Sequence, residues 1–187
     1  MNRNAYVDLC VHLQALRRYA EEVRSPLVPA LAVAGEIYTH QLANVLRVLT
    51  DIRVRHLLAD EVGLGKTVQA LMILNALRRQ RRDLCALIVV PDRLVHQWRD
   101  ELMTRAHTAP FETHTPGEGQ YVRLAWEEQL RNMGPDGQPL LALGDIAPEQ
   151  YQVLIVDELH RLRADLRDRI VRTAPEFEHV LVLTATP

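Results

Sequence analysis

Four short apolar runs punctuate the chain, at positions 55–59, 85–91, 151–157 and 179–184. They are rich in Val, Leu and Ile and nearly continuous rather than alternating, the pattern of strands buried on both faces of a parallel sheet. Between them the period becomes helical. Positions 67–79 place Val68, Leu71, Leu74 and Leu77 on one face. Leu94, Val95, Trp98 and Leu102 do the same behind Asp92, which is expected to act as an N-cap. Leu162, Leu166 and Ile170 repeat the spacing in a third helix. Strands alternating with helices need crossover connections, so the expected fold is α/β, with a parallel sheet flanked by helices.

Two regions lie outside this alternation. Positions 6–23 read as an amphipathic helix through Leu9, Leu13, Leu16 and Val23, ended by Ser25-Pro26 and Pro29. A further helix is expected over 40–49. The expected division is therefore an N-terminal helical extension, 1–35, followed by one α/β lobe, 36–187. The stretch 108–150 is the least regular, with turn-rich patches at 115–120 and 133–139 around an expected helix at 121–131. No internal repeat or low-complexity segment is present.

Each apolar run leads directly into a polar motif. The first enters Asp60-Glu61-Val62-Gly63-Leu64-Gly65-Lys66-Thr67, and the second Pro91-Asp92-Arg93. The third enters Asp157-Glu158-Leu159-His160, and the fourth Thr184-Ala185-Thr186-Pro187. In an open parallel sheet, ligands bind beyond the carboxyl ends of the strands. The four motifs are therefore expected to converge on one edge.

The first motif reads as a phosphate-binding loop, although Asp60 stands where the usual G-x-x-x-x-G-K-[ST] pattern has its first glycine. Gly63 and Gly65 permit backbone conformations that aim N–H groups inward, and the following helix presents its positive end to phosphates. Lys66 is the only lysine among 22 basic side chains, in a chain that otherwise supplies positive charge as arginine. A compact ammonium reaching the β- and γ-phosphates explains the exception, because the planar guanidinium replaces it poorly there. Thr67 supplies a hydroxyl for Mg²⁺. A glycine-rich strand-to-helix turn without a ligand is the alternative. Asp157 and Glu158 form the acidic partner site, Asp157 holding Mg²⁺ and Glu158 orienting and deprotonating an attacking water. Two other readings stay open for this pair: a solvated helix cap, and a metal-ligand pair formed by Asp157 and His160.

Bulk properties narrow the class without changing it. At 187 residues, 48% hydrophobic and 25% charged, the chain has the composition of one globular domain. A net charge of −2 argues against a strongly basic nucleic-acid module. Cys10 and Cys85 read as two buried free thiols in a reducing setting. Neither a signal peptide nor a membrane span is evident, and the expected location is the cytoplasm.

Taken together, 58–67 resembles motif I of the Swi/Snf-type ATPases in helicase superfamily two. Val89-Val90-Pro91 through Gln97-Trp98 resembles their motif Ia, 157–160 their DExH box with Leu159 where alanine is commoner, and 184–187 their motif III. The wording is most similar to the bacterial branch that includes the ATPase that recycles RNA polymerase. The resemblance covers roughly 36–187. It implies a RecA-like P-loop lobe that binds ATP and Mg²⁺ and belongs to a nucleic-acid-dependent translocase acting on double-stranded DNA.

It also implies residue roles. Within Tyr38-Thr39-His40-Gln41, Gln41 would read the adenine edge. Asp60, Glu61, Val62, Gly63, Leu64, Gly65, Lys66 and Thr67 would form the nucleotide loop, with Lys66 and Glu158 catalytic. Pro91, Arg93 and Gln97 stand where family members track a nucleic-acid backbone. His160, Thr184 and Thr186 would couple the nucleotide site to strand movement. The family motif between Ia and the DExH box is not found in 108–150. The second RecA-like lobe, with its arginine fingers, is expected to be missing from this chain. Such fingers contribute on the order of 10³–10⁵ in rate in related enzymes. RNA polymerase, or a defence or DNA-modification complex, is the partner class implied. Two rival functions remain: a truncated non-catalytic nucleotide-binding or interaction module, and a small-molecule phosphotransferase.

Overall fold

The computed structural model describes residues 30–61, 63–110, 120–131 and 150–185. Five strands run through them: β1 (Arg55–Leu58), β2 (Ala86–Val90), β3 (Val122–Trp126), β4 (Val153–Asp157) and β5 (His179–Leu183). They pair in the order β1-β5-β4-β2-β3, every pair parallel. Five α-helices accompany them: α1 (Thr39–Leu49), α2 (Lys66–Gln80), α3 (Val95–Arg105), α4 (Glu127–Arg131) and α5 (Ala164–Thr173).

Both faces of the central strands β2 and β4 are sealed, which is why they read as unbroken apolar runs. Ala86, Ile88 and Val90 of β2 join Ile155 of β4 in a layer packed on α1, α2 and α3 through Val45, Leu71 and Trp98. Leu87 and Val89 point the other way, onto α5 through Leu166 and Ile170 and onto Phe177. Burial of both layers is the main stabilising force, at about 25 cal/mol per Å² of apolar surface removed from water. The helix α2 lies deep in the first layer. Beyond the expected face, Gln69, Ala70, Met72, Ile73 and Ala76 are buried too.

Several expectations change. The helix expected over 121–131 is strand β3 followed by the short α4, so the sheet has five strands rather than four. Val122 and Leu124 enter one layer and Ala125 the other, while Arg123 is fully buried and donates to the Tyr151 hydroxyl at 2.8 Å. That buried arginine breaks the apolar run that would have betrayed the strand. The strand β1 is not buried on both faces: it is an edge strand with Leu57 55% exposed. Asp92 does not cap α3; it sits in a 3₁₀ turn, Asp92–Leu94, and its Oδ1 accepts from the Glu128 N–H of α4 at 2.8 Å. Leu162 precedes α5 instead of lying on it, though it is buried in the same cluster. Cys85 is a free thiol, half-buried rather than buried.

The expected helix at 6–23, with Cys10, lies outside the described residues, as do the turn patch at 133–139 and, except for Gln120, the patch at 115–120. Ala30, Leu31 and Val33, assigned to the extension, pack into the core of the lobe. Among the described residues, no helix is long and apolar enough to cross a membrane.

His179 ties the start of β5 to the approach of β1. Its buried Nδ1 accepts from the Val54 N–H at 3.1 Å, so that nitrogen must be unprotonated. Burial pushes the imidazole pKa below its ordinary value; Glu178 opposes this, while Arg55, Arg81 and Arg53 reinforce it. With the folded pKa depressed, the stabilisation is present above the unfolded value and lost as pH falls through the folded one. Thermal melting between about pH 7.5 and about pH 5, the window in which histidine titrates, should show the loss. A His179→Gln variant, which keeps an acceptor that does not titrate, should lose less stability over the same interval.

Candidate functional site

The ends of β1, β5 and β4 are held level by the ladder. Leu183 pairs with Leu58 on one side and with Asp157 on the other. Thr184 N–H donates to the Leu58 carbonyl at 3.0 Å, and Glu158 N–H donates to the Leu183 carbonyl at 2.8 Å. The motifs following these strands therefore share one edge. A cavity of about 390 Å³ opens there, lined by Gly65, Lys66, Thr67, Asp157, Glu158 and Gln41.

The loop after β1 is shaped by glycine. Gly65 has φ 75°, where an L side chain is strained, and a Cβ there would lie 2.2 Å from Gln41 Nε2 and displace that amide. Directly after it, α2 begins at Lys66, aiming the positive end of the helix at the cavity. Lys66 Nζ donates to the carbonyls of Asp60 at 2.6 Å and Glu61 at 2.9 Å. Asp60, the departure from the glycine pattern, is clamped. Its Oδ2 accepts from Gln69 Nε2 at 2.8 Å and Asn44 Nδ2 at 3.3 Å, and Asn44 Nδ2 also reaches Gln69 Oε1 at 3.1 Å. The carboxylate thus fastens the loop to α1 and α2 at once.

Gln41 is buried, and its amide orientation is fixed. Oε1 accepts from the Tyr38 N–H at 3.1 Å, satisfying an orphan donor at the start of α1, and Nε2 donates to the Leu64 carbonyl at 3.1 Å. One amide hydrogen and one oxygen lone pair remain for a ligand. His40 Nε2 lies 3.3 Å from the same Leu64 carbonyl.

The acidic pair divides its work by geometry. Asp157 is 7% exposed, and its Oδ2 accepts from Trp98 Nε1 at 2.8 Å. Burial pushes its pKa up; the Trp98 hydrogen bond opposes this, the Glu158 charge adds to it and Lys66 lowers it. Glu158 leaves the strand in the left-handed region, φ 49° and ψ 49°. A non-glycine residue there is strained. Its Oε2 is buried without a hydrogen bond among the described residues. Arg161 Nε donates to His160 Nε2 at 3.1 Å, which makes Nδ1 the protonated nitrogen of a neutral ring. That nitrogen lies 3.2 Å from Thr184 Oγ1 and 3.4 Å from Glu158 Oε2.

Of the other expected residues, Glu61 and Leu64 are exposed on the loop, and Gly63 has φ 87°. Val62 and Thr186 lie outside the described residues. Pro91 is buried and Arg93 exposed. Gln97, expected on a nucleic-acid path, lines the same cavity as Lys66 and Asp157. Asn44, Gln69 and the pairing of Trp98 with Asp157 escaped the sequence reading. A glutamine between Val68 and Ala70, at a helical position with no exposed neighbour, was the available signal for Gln69. Tyr38, 56% exposed and stacked on His40, adds an aromatic ring to the cavity wall.

The SNF2-related domain family matches residues 38–130. The RNA polymerase-associated protein RapA of Serratia proteamaculans is 31% identical over 195 residues, covering 95% of this chain and 20% of that protein. That of Vibrio vulnificus is 33% identical over 198 residues, covering 96% and 20%. The chain belongs to the SNF2-related family. The fold of this SNF2-related lobe matches the Sulfolobus solfataricus SWI2/SNF2 ATPase core in complex with dsDNA, with a TM-score of 0.63 and 17% identity. That match covers 83% of this chain and 33% of the other. The DUF1998 helicase MrfA bound to DNA and AMPPNP matches with a TM-score of 0.60 at 16% identity, covering 86% and 26%. The SNF2-related chain spans about a fifth of the length of the curated relatives it matches.

The donor set of the SNF2-related lobe fits a magnesium nucleotide. A hydroxyl, carboxylates and an ammonium line the cavity, and Glu158 Oε2 makes no hydrogen bond among the described residues, with His160 Nδ1 at 3.4 Å and Arg161 Nε at 3.6 Å. Among the described residues, no group of three or more His, Cys, Asp or Glu is arranged to hold a metal. Magnesium is commonly held by one or two carboxylates together with substrate phosphates.

Two stability measurements test these local arguments. Glu158→Gly and Glu158→Ala both remove the carboxylate, so their difference reports backbone strain; the glycine variant should be the more stable by about 1 kcal/mol. Gln69→Met keeps the volume but strips the Asp60 clamp of its shorter hydrogen bond. It should cost about 1–3 kcal/mol in denaturant unfolding.

Proposed function

We propose that this chain is the ATP-binding lobe of a nucleic-acid-dependent ATPase that translocates on double-stranded DNA. The observation that carries it is the convergence of Lys66, Thr67, Asp157 and Glu158 on one cavity at the carboxyl edge of the sheet. Gln41 reads the adenine edge with its remaining donor and acceptor. Lys66 exchanges the Asp60 and Glu61 carbonyls for the β- and γ-phosphates. The Thr67 hydroxyl and the Asp157 carboxylate hold Mg²⁺. When bound, the metal neutralises charge that develops on the phosphate oxygens. Glu158 takes the proton of the attacking water through Oε2, which makes no hydrogen bond among the described residues. His160 and Thr184 carry the state of that carboxylate to the end of β5.

A duplex-DNA partner is supported by the likeness to an ATPase core in complex with dsDNA, and RNA polymerase by the relatives named for that association. Hydrolysis at a useful rate requires a second RecA-like lobe, whose arginine fingers supply about 10³–10⁵ in rate in related enzymes. The 187-residue chain alone binds nucleotide and turns it over slowly or not at all.

Titration with a fluorescent ATP analogue and Mg²⁺ tests the proposal. Binding should be saturable, lost in Lys66→Ala and retained in Glu158→Gln. Absence of binding by the wild-type chain would overturn the ATP-binding function. Fast DNA-stimulated turnover that Glu158→Gln abolishes would overturn the requirement for a second lobe.

A further inference from the structure

Trp98 and Asp157 are 59 residues apart in sequence, yet they form a buried side-chain hydrogen bond of 2.8 Å. Trp98 is completely buried on α3, and Asp157 ends β4. The indole can only donate, through a single N–H. Donation to a carboxylate is charge-assisted, roughly twice as strong as a neutral bond, and it fixes the orientation of the acceptor. With Oδ2 held by the indole, Oδ1 is the oxygen left for the cavity that Asp157 lines.

The same helix forms a wall of that cavity. Leu94, Gln97, Glu101 and Arg105 of the α3 region line it, while Arg93 and His96 are exposed nearby. Arg105 pairs with Glu101 and donates to the Ala34 carbonyl at 3.0 Å, tying α3 to the segment leading into α1. Movement of α3 along its axis would therefore carry the indole with it and re-aim the carboxylate.

We propose that Trp98 is a positioning residue for the metal site: its indole N–H sets the orientation of the Asp157 carboxylate and couples the position of α3 to metal affinity. The inference rests on the ATP-binding function proposed above. A purely structural role, in which Asp157 merely satisfies the N–H of a core tryptophan, predicts lost stability but unchanged metal dependence.

Trp98→Phe removes the N–H and keeps a buried aromatic ring. In the full chain, the Mg²⁺ concentration giving half-maximal enhancement of fluorescent-ATP binding should rise about tenfold, the lower end of the loss expected on removing a partner that orients a metal ligand. Metal-free binding, which depends on Lys66, should stay within about twofold of wild type, well below the roughly 1.4 kcal/mol of a tenfold change. In an Asp157→Asn background, the same substitution should add nothing to the Mg²⁺ requirement.

The chain has two tryptophans, so a Trp126→Phe variant makes Trp98 the sole indole reporter and needs no change at position 98. Its emission should shift when Mg²⁺ is added to the nucleotide-bound protein. An unshifted emission, or a wild-type Mg²⁺ requirement in folded Trp98→Phe, overturns the positioning role while leaving the ATP site standing. Loss of metal-free and metal-dependent binding in the wild type overturns both.

Discussion

Two backbone hydrogen bonds fix the geometry on which the cavity depends: Glu158 N–H to the Leu183 carbonyl, and Thr184 N–H to the Leu58 carbonyl. They bring three segments, distant in sequence, to a common height at the edge of one sheet. Register matters because successive strand residues point to opposite faces, and a slip of one residue would reverse every side chain. Asp157 lies two residues beyond Ile155, which packs in the layer shared with α3, so the pleat turns its carboxylate toward Trp98. Apolar residues on both faces of β4 hold that register. The hydrophobic core thereby specifies the direction of a charged group that it does not contain.

Several features unfavourable to folding lie at that edge. A buried carboxylate whose ionisation is disfavoured, a glutamate in the left-handed region and a buried oxygen without a hydrogen bond among the described residues all lie at the end of β4. Each is unfavourable alone, and such features persist only where surrounding structure over-determines them. Here the surroundings are the two sealed layers, with β2 and β4 buried along their whole lengths. Strain kept at one end of a rigid sheet leaves the rest of the ladder undisturbed. It also holds the groups proposed to react in place before a ligand arrives.

The legible part of the molecule was the part governed by local rules. Continuous apolar runs announced four strands, and glycine next to a solitary lysine announced the loop. What stayed hidden depends on partners distant in sequence. Arg123 interrupts β3 and is costly to bury: Tyr151, 28 residues away, accepts one hydrogen bond, while Nε and Nη2 have none among the described residues. Asp92 looked like a cap for the helix it precedes, yet it binds the first turn of a different one, 36 residues on. Gln41 drew attention only through family likeness, because a glutamine on an exposed-looking helix gives no hint that both ends of its amide will be engaged. Asn44 and Gln69 were silent for the same reason. A polar side chain declares its role only when its acceptor is known.

The solitary lysine acquires a physical explanation that composition could not give. Its ammonium holds the carbonyls of Asp60 and Glu61, so the loop is stabilised by the group proposed to bind phosphate. Three donors on a rotatable, non-planar head can leave two carbonyls and meet phosphate oxygens without a fixed plane to satisfy at both ends. A guanidinium needs in-plane acceptors in each arrangement, and a loop this tight, with Gly65 pressed against Gln41, offers few. The exchange replaces neutral acceptors by charged ones, and charge-assisted bonds are about twice as strong. In the proposed function, the self-contact thus subtracts from nucleotide affinity while removing the disorder that binding would otherwise have to suppress. In a chain that places arginine everywhere else, lysine is the residue that can occupy both states.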